Sequence, residues 1–301
     1  MNKTLLAHLS LLVANLIYAI NYTFAKDVMP IYIEPSGFIL LRVIGALCLF
    51  AIAYFVFVKE KVERKDILKF AICGVFGVAI NQLLFFEGLN LTTPINAAII
   101  MTSNPILVMI MSFLIIKEKI TFRKGLGILL GIIGASALIL NGGDISLDTN
   151  MQLGNLFVLI NATSYGLYLV IVKPMMVKYD PITVMFYVFS FGLLYVIPFG
   201  FSNLAVVNWS IIPTTIYWEI AFVVICTTFI AYLFNSSALK QLNPSTVSIY
   251  IYLQPILATL FAIFRESDTL DETKIIASII IFTGVYLVSV RSLKARKQKL
   301  S

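Results

Sequence analysis

Charge is what this sequence is short of. Only 12% of its 301 residues are Asp, Glu, Lys or Arg, about half the share in an ordinary soluble protein. With 60% hydrophobic residues and a mean hydropathy of +0.96, a water-soluble globule is excluded and an all-α membrane protein is expected. Histidine is nearly absent: His8 stands alone near the start of an apolar run and reads as an interfacial residue rather than a ligand. With one histidine no HExxH motif can form, no Ser/His constellation is evident at membrane depth, and no two intramembrane carboxylates are suitably spaced, so the chain is not expected to be an enzyme. No P-loop is present either, which excludes nucleotide-driven pumping by this chain. Cys48, Cys73 and Cys226 lie far apart inside apolar runs, with neither a disulfide framework nor metal-ligand spacing, so no metal and no cofactor is expected. The net charge of +7 would suggest nucleic acid in a soluble protein. Here the basic residues fill short gaps between apolar runs, so they read as topology signals and no nucleic-acid partner is expected.

What is present is a succession of apolar runs. They fall near 5–25, 36–58, 68–88, 95–116, 125–140, 154–173, 182–200, 217–237, 246–264 and 275–290. A bilayer core about 30 Å thick takes roughly 20 residues of helix, so these predict ten transmembrane helices. No signal-peptide cleavage pattern follows the first run, and its counterpart in the second half argues that it is retained. The longest connection, 141–153, contains Asn141-Gly142-Gly143-Asp144 and reads as a linker between two halves of five helices. The resulting division is 1–140, linker 141–153, 154–290 and a basic tail 291–301. With ten helices, eighteen Lys and Arg fall on one side, among them Lys59, Lys61, Lys117, Lys119 and Lys178. Lys26, Arg265 and Lys274 fall on the other, and Arg42 lies within a helix, which accounts for all 22. Both termini are therefore expected in the cytoplasm.

The two halves repeat. A shift of 150 residues places Pro94 on Pro244, and Asn104-Pro105-Ile106-Leu107 on Gln254-Pro255-Ile256-Leu257. The same shift places Glu118 on Asp268, Lys124 on Lys274 and Gly134 on Gly284. A shift of 147 relates Tyr18 to Tyr165 and Lys26 to Lys173, lysines that read as snorkelling to the headgroups. Five spans is an odd number, so the second half inserts upside down relative to the first. Inverted repeats are the architecture of secondary transporters, with the solute site near the midplane between the halves. The alternatives left open are a duplicated membrane protein without a transport role, receptor-like in character, and a channel or lipid conduit.

Polar side chains at membrane depth need a protein partner or a wet cavity. Asn15, Tyr18 and Tyr22 share one face of the first helix, and Asn161, Tyr165 and Tyr168 one face of the sixth. Thr102 and Asn104 precede Pro105; Tyr250 and Gln254 precede Pro255. Asn81 sits within the third helix. These residues are the candidate solute-binding set, their polar faces expected to meet between the halves around a small uncharged or zwitterionic solute. The competing reading is helix–helix glue. Pro105 and Pro255 each remove a backbone donor, which predicts a kink that gates, binds solute through a freed carbonyl, or only shapes packing. Arg42 is the candidate counter-ion for a solute carboxylate or a partner for Glu87, and Glu87 the candidate proton-coupling site. Gly74, Gly77, Gly127, Gly131 and Gly134 read as close-packing positions.

The chain resembles the drug/metabolite transporter superfamily, and within it the EamA-type ten-helix bacterial permeases. The residues that carry the resemblance are Leu41-Arg42, Gly88-Leu89 before Pro94, Pro105 followed by Lys117-Glu118-Lys119, and Gly131 with Gly134. In the second half they are Ala238-Leu239, Pro244, Tyr252-Leu253-Gln254-Pro255 and Gly284. The family usually writes Gly-Glu after helices 4 and 9, where this chain has Lys117-Glu118 and an Asp268 without glycine. The resemblance covers essentially the whole chain. It implies two EamA-like five-helix repeats around a central cavity and transport of a small metabolite, commonly export. It also implies a place in the bacterial inner membrane, among lipid.

Overall fold

The computed structural model describes residues 3–92, 97, 100–140, 149–264 and 272–289. Pro94, linker residues 141–148, the stretch with Arg265 and Asp268, and the tail 291–301 lie outside the described residues. The described backbone is helical. The first half holds α1 (Lys3–Val28), α2 (Pro35–Phe57), α3 (Arg64–Leu91), α4 (Asn104–Ile116) and α5 (Phe122–Leu140). The second holds α6 (Thr149–Lys178), α7 (Pro181–Ala205), α8 (Thr214–Gln241), α9 (244–264) and α10 (Glu272–Ser289). Six of these, α1 to α3 and α6 to α8, are individually long and apolar enough to cross a bilayer, and α4 and α10 are shorter apolar helices. Large apolar side chains such as Phe55, Phe57, Phe122 and Trp218 point outward, whereas Asn15, Asn81, Asn104 and Asn161 are buried, as in a protein solvated by lipid.

Packing follows the repeat. α1 lies against α8 and α9, and its counterpart α6 lies against α3 and α4. α2 packs on its own counterpart α7, and α5 on α10. Exchanging the halves maps this pattern onto itself, which is the signature of two equivalent units meeting about a twofold axis. At the α5–α10 crossing a Cβ on Gly127 would lie 2.7 Å from the Gly284 carbonyl oxygen, and one on Gly284 2.6 Å from that of Gly127. Only glycine lets these two backbones touch.

The helices are broken at matching places. α3 contains a π-helical segment at Val75–Ala79 and α8 one at Val223–Ile230. The prolines differ from the kinks expected of them. Pro105 sits in the first turn of α4, after a non-helical break at Thr102–Ser103, and Pro255 in the first turn of Leu253–Phe264, after a 3-10 stretch at Ile249–Tyr252. In a first turn the missing N–H has no helical partner to lose, so Pro105 starts a helix rather than bending one, whereas Pro255 sits inside α9 just after the change from 3-10 to α geometry. The Thr102 carbonyl at the first break accepts from the Tyr252 hydroxyl at 3.0 Å, so it too is occupied.

The lysine-rich end of the bundle is cross-braced between the halves. Asp66 is 1% exposed and accepts from Lys69 at 2.8 Å, Lys178 at 2.5 Å and the Tyr179 hydroxyl at 2.8 Å. Glu63 pairs with Lys178 at 2.6 Å and Lys65 at 2.7 Å, and those lysines hold its carboxyl below the ordinary glutamate value. Glu118 pairs with Lys124 and accepts from Ser245 of α9 at 3.0 Å. Lys173 does not snorkel as expected. Its ammonium donates to the carbonyls of Leu239 at 2.5 Å and Leu242 at 2.9 Å, capping the end of α8.

Candidate solute cavity

The inward faces of α1, α2, α3, α6, α8 and α9, with Met101 just before α4, enclose one cavity of about 110 Å³. That is well above the roughly 10–15 Å³ needed to admit one water, so the cavity has room for several waters or a small solute. Of the residues expected to bind solute, Asn15, Tyr18, Tyr22, Asn81, Asn161, Tyr165 and Gln254 line it, together with Arg42. They are tied to each other across the halves. Gln254 Nε2 donates to Asn15 Oδ1 at 3.0 Å, and the Tyr22 hydroxyl to Gln254 Oε1 at 3.4 Å. Asn161 Nδ2 donates to the Asn81 carbonyl at 2.5 Å.

The remaining expected residues are turned elsewhere. Asn104 Nδ2 donates to the Ala162 carbonyl at 2.6 Å, so the helix pair α4–α6 takes it up as glue. The Tyr168 hydroxyl meets Met185 sulfur at 3.9 Å, and its ring lies over Gly77. Tyr250 is bonded to His8 Nδ1 at 2.7 Å and stacks on that ring, which makes His8 a packing partner rather than a headgroup contact. Thr102 contributes its carbonyl to Tyr252. Glu87 is partly exposed and outside the lining, and among the described residues no ion pair joins it to Arg42. The expected Arg42–Glu87 partnership is therefore not made.

Sequence reasoning also missed part of the wall. Tyr232, Asn235 and Thr227 of α8 line the cavity, as do Asn21, Gln82 and Ser248. Gln82 Nε2 donates to the Tyr232 hydroxyl at 3.2 Å, which donates to Asn81 Oδ1 at 3.3 Å; Asn235 Nδ2 donates to the Tyr18 hydroxyl at 3.0 Å. The signal was available: Gln82 and Tyr232 are separated by 150 residues, the shift that relates the repeats. Equivalent positions touch because they lie near the axis. The π-helical segments help to set this wall, since Thr227 lies within one and Asn81 follows the other.

Five residues of the lining also carry a buried polar atom without a protein hydrogen-bond partner: Asn21 Oδ1, Arg42 Nη1, Gln82 Oε1, Asn161 Oδ1 and Thr227 Oγ1. Leaving such an atom unsatisfied costs about 1–3 kcal/mol, a cost that a modest side-chain movement toward water or a polar solute in the cavity would relieve. Phe85, Phe86, Met101, Val247 and Ile251 supply apolar surface to the same lining. Among the described residues the lining contains no Asp or Glu and no group of metal-ligating side chains.

Two matching helical halves around a central cavity are an architecture common among secondary transporters. The model of the EamA-like transporter family matches residues 5–140 and again 152–290, and the chain belongs to that family. Among similar proteins, an uncharacterized transporter YyaM of Bacillus subtilis is 26% identical over 233 residues, spanning 77% of this chain and 76% of the relative. An uncharacterized transporter of Archaeoglobus fulgidus is 26% identical over 235 residues, spanning 77% and 79%. A solved crystal structure 18% identical in sequence superposes with a TM-score of 0.77 over 97% of this chain and 98% of its own, which shows the shared fold. The family and these names mark a membrane transporter rather than an enzyme.

Proposed function

We propose that this chain is a secondary transporter that exports a small polar or amphipathic metabolite, such as an amino acid, by alternating access. It would work in a bacterial inner membrane with both termini in the cytoplasm. The observation that carries the reading is a cavity lined by polar side chains of both halves, among them Asn15, Tyr18, Asn81, Asn161, Tyr165 and Gln254. The lysine excess supports the orientation. Outward direction rests on the family resemblance. The cross-braces of Asp66 and Glu118 are the contacts that must break if the lysine-rich end is to open. If transport is proton-coupled through Glu87, that carboxyl acts away from the solute, since it does not line the cavity.

The test is counterflow in proteoliposomes with the purified full-length chain. Vesicles preloaded with each unlabelled amino acid, nucleobase or small monocarboxylate are diluted into its labelled form. Saturable overshoot for at least one solute is expected. Non-saturating entry would instead identify a channel, and no overshoot across the panel would remove the transport reading.

A further inference from the structure

We infer that the group recognised in the cavity is a carboxylate on a small organic anion, bound by Arg42. This rests on the cavity being the solute site, and adds the charge and shape of what enters. Arg42 is 3% exposed and lies about seven residues, or roughly 10 Å of helix rise, inside α2. Its guanidinium is held from two sides. Nε donates to Thr228 Oγ1 at 3.0 Å, and that hydroxyl in turn donates to the Val223 carbonyl at 2.8 Å, so its oxygen is directed to the arginine. The Phe86 ring lies 4.6 Å from Cζ and fixes the plane. Nη1 is buried without a protein partner, and the Arg42 side chain lines the cavity.

A guanidinium is charged at any physiological pH, so it cannot escape the cost of burial by losing its proton. In most proteins a buried arginine is paired with a carboxylate. Here no described Asp or Glu pairs with Arg42 and none lines the cavity, so the missing negative charge is left for the solute to bring. One arginine balances one negative charge. A carboxylate carries one; a phosphate monoester carries close to two and would leave charge uncompensated. The planar fork also matches two coplanar carboxylate oxygens. Phe85, Met101, Val247 and Ile251 then receive an apolar body, and about 110 Å³ suits a molecule near the size of hexanoate. A cation meets like charge and no acidic partner.

Binding of hexanoate, hexanamide and hexylamine to the full-length protein in nanodiscs, by calorimetry, tests this. Hexanoate is expected to bind at least about ten-fold more tightly than either analogue, the scale of one charge-assisted hydrogen bond. Arg42→Gln should remove that preference, and Arg42→Lys should restore it only in part because an ammonium lacks the fork. If Arg42→Gln does not fold, the acid-to-amide ratio on the wild type decides alone. Equal binding of acid and amide, no binding of the acid, or an unchanged preference in a folded Arg42→Gln overturns the inference. None of these touches the counterflow result, which stands or falls on any solute whatever its charge.

Discussion

Asn161 shows how a single side chain divides its work. Its Nδ2 holds the Asn81 carbonyl, its Oδ1 is buried without a protein partner, and the residue lines the cavity. Asn161→Leu is therefore expected to abolish counterflow while lowering the melting temperature only slightly, since it removes one unsatisfied atom along with one hydrogen bond. Comparable losses of both would point to a structural role alone. The glycines predict the opposite pattern. A Cβ on Gly131 would lie 2.1 Å from the buried Tyr252 ring, so Gly131→Leu should cost more than the 1–3 kcal/mol typical of overpacking, read as lost thermal stability. Solute preference in whatever folds should not change. At this scale helical spacing was a partial guide. It identified the α1 face of Asn15, Tyr18 and Tyr22, and all three line the cavity. It equally identified Tyr168 and Asn104, which meet Met185 and the Ala162 carbonyl instead. Periodicity defines a face; it does not say whether a void or a neighbouring helix lies opposite.

At the scale of helices and their connections, the braces at the lysine-rich end carry the sharpest expectations. Asp66→Asn loses the charge that two lysines and a tyrosine hydroxyl converge on, and should destabilise the chain by about 1–3 kcal/mol. Thermal unfolding in detergent reads this. Glu63 has its carboxyl held low by Lys178 and Lys65. A depressed folded value means that its contribution is fully present above the ordinary glutamate pKa and is lost as pH falls through the lowered one. Melting temperature should therefore fall on acidification below the carboxylate range, and Glu63→Gln should flatten part of that fall. The elements themselves were largely legible, because apolar length is a direct demand of the bilayer. The π-helical segments and the break before Pro105 were not, since hydropathy does not register which carbonyl an amide chooses. Lys173 was misread for a related reason: a lysine near a helix end reaches headgroups or carbonyls according to which helix terminates beside it.

For the whole molecule, the repeat was the most informative feature of the sequence. The packing of α2 on α7 and of α5 on α10 is self-matching, as a repeat allows, although the sequence reading named neither contact. The 150-residue shift would have found Tyr232, had it been applied to Gln82. Orientation is carried by charge alone, and single cysteines placed in the α2–α3 connection and in linker 141–148 should label from opposite sides of the membrane. Labelling of both from one side would remove the inverted arrangement.

The most direct measurement concerns the cavity itself. With Cys48, Cys73 and Cys226 replaced, Asn235→Cys puts one thiol on its wall. Exposure to a small membrane-impermeant methanethiosulfonate should modify that thiol, and a transported solute should slow the reaction. A thiol that never reacts, or reacts at the same rate with and without solute, would contradict a water-filled solute site between the halves.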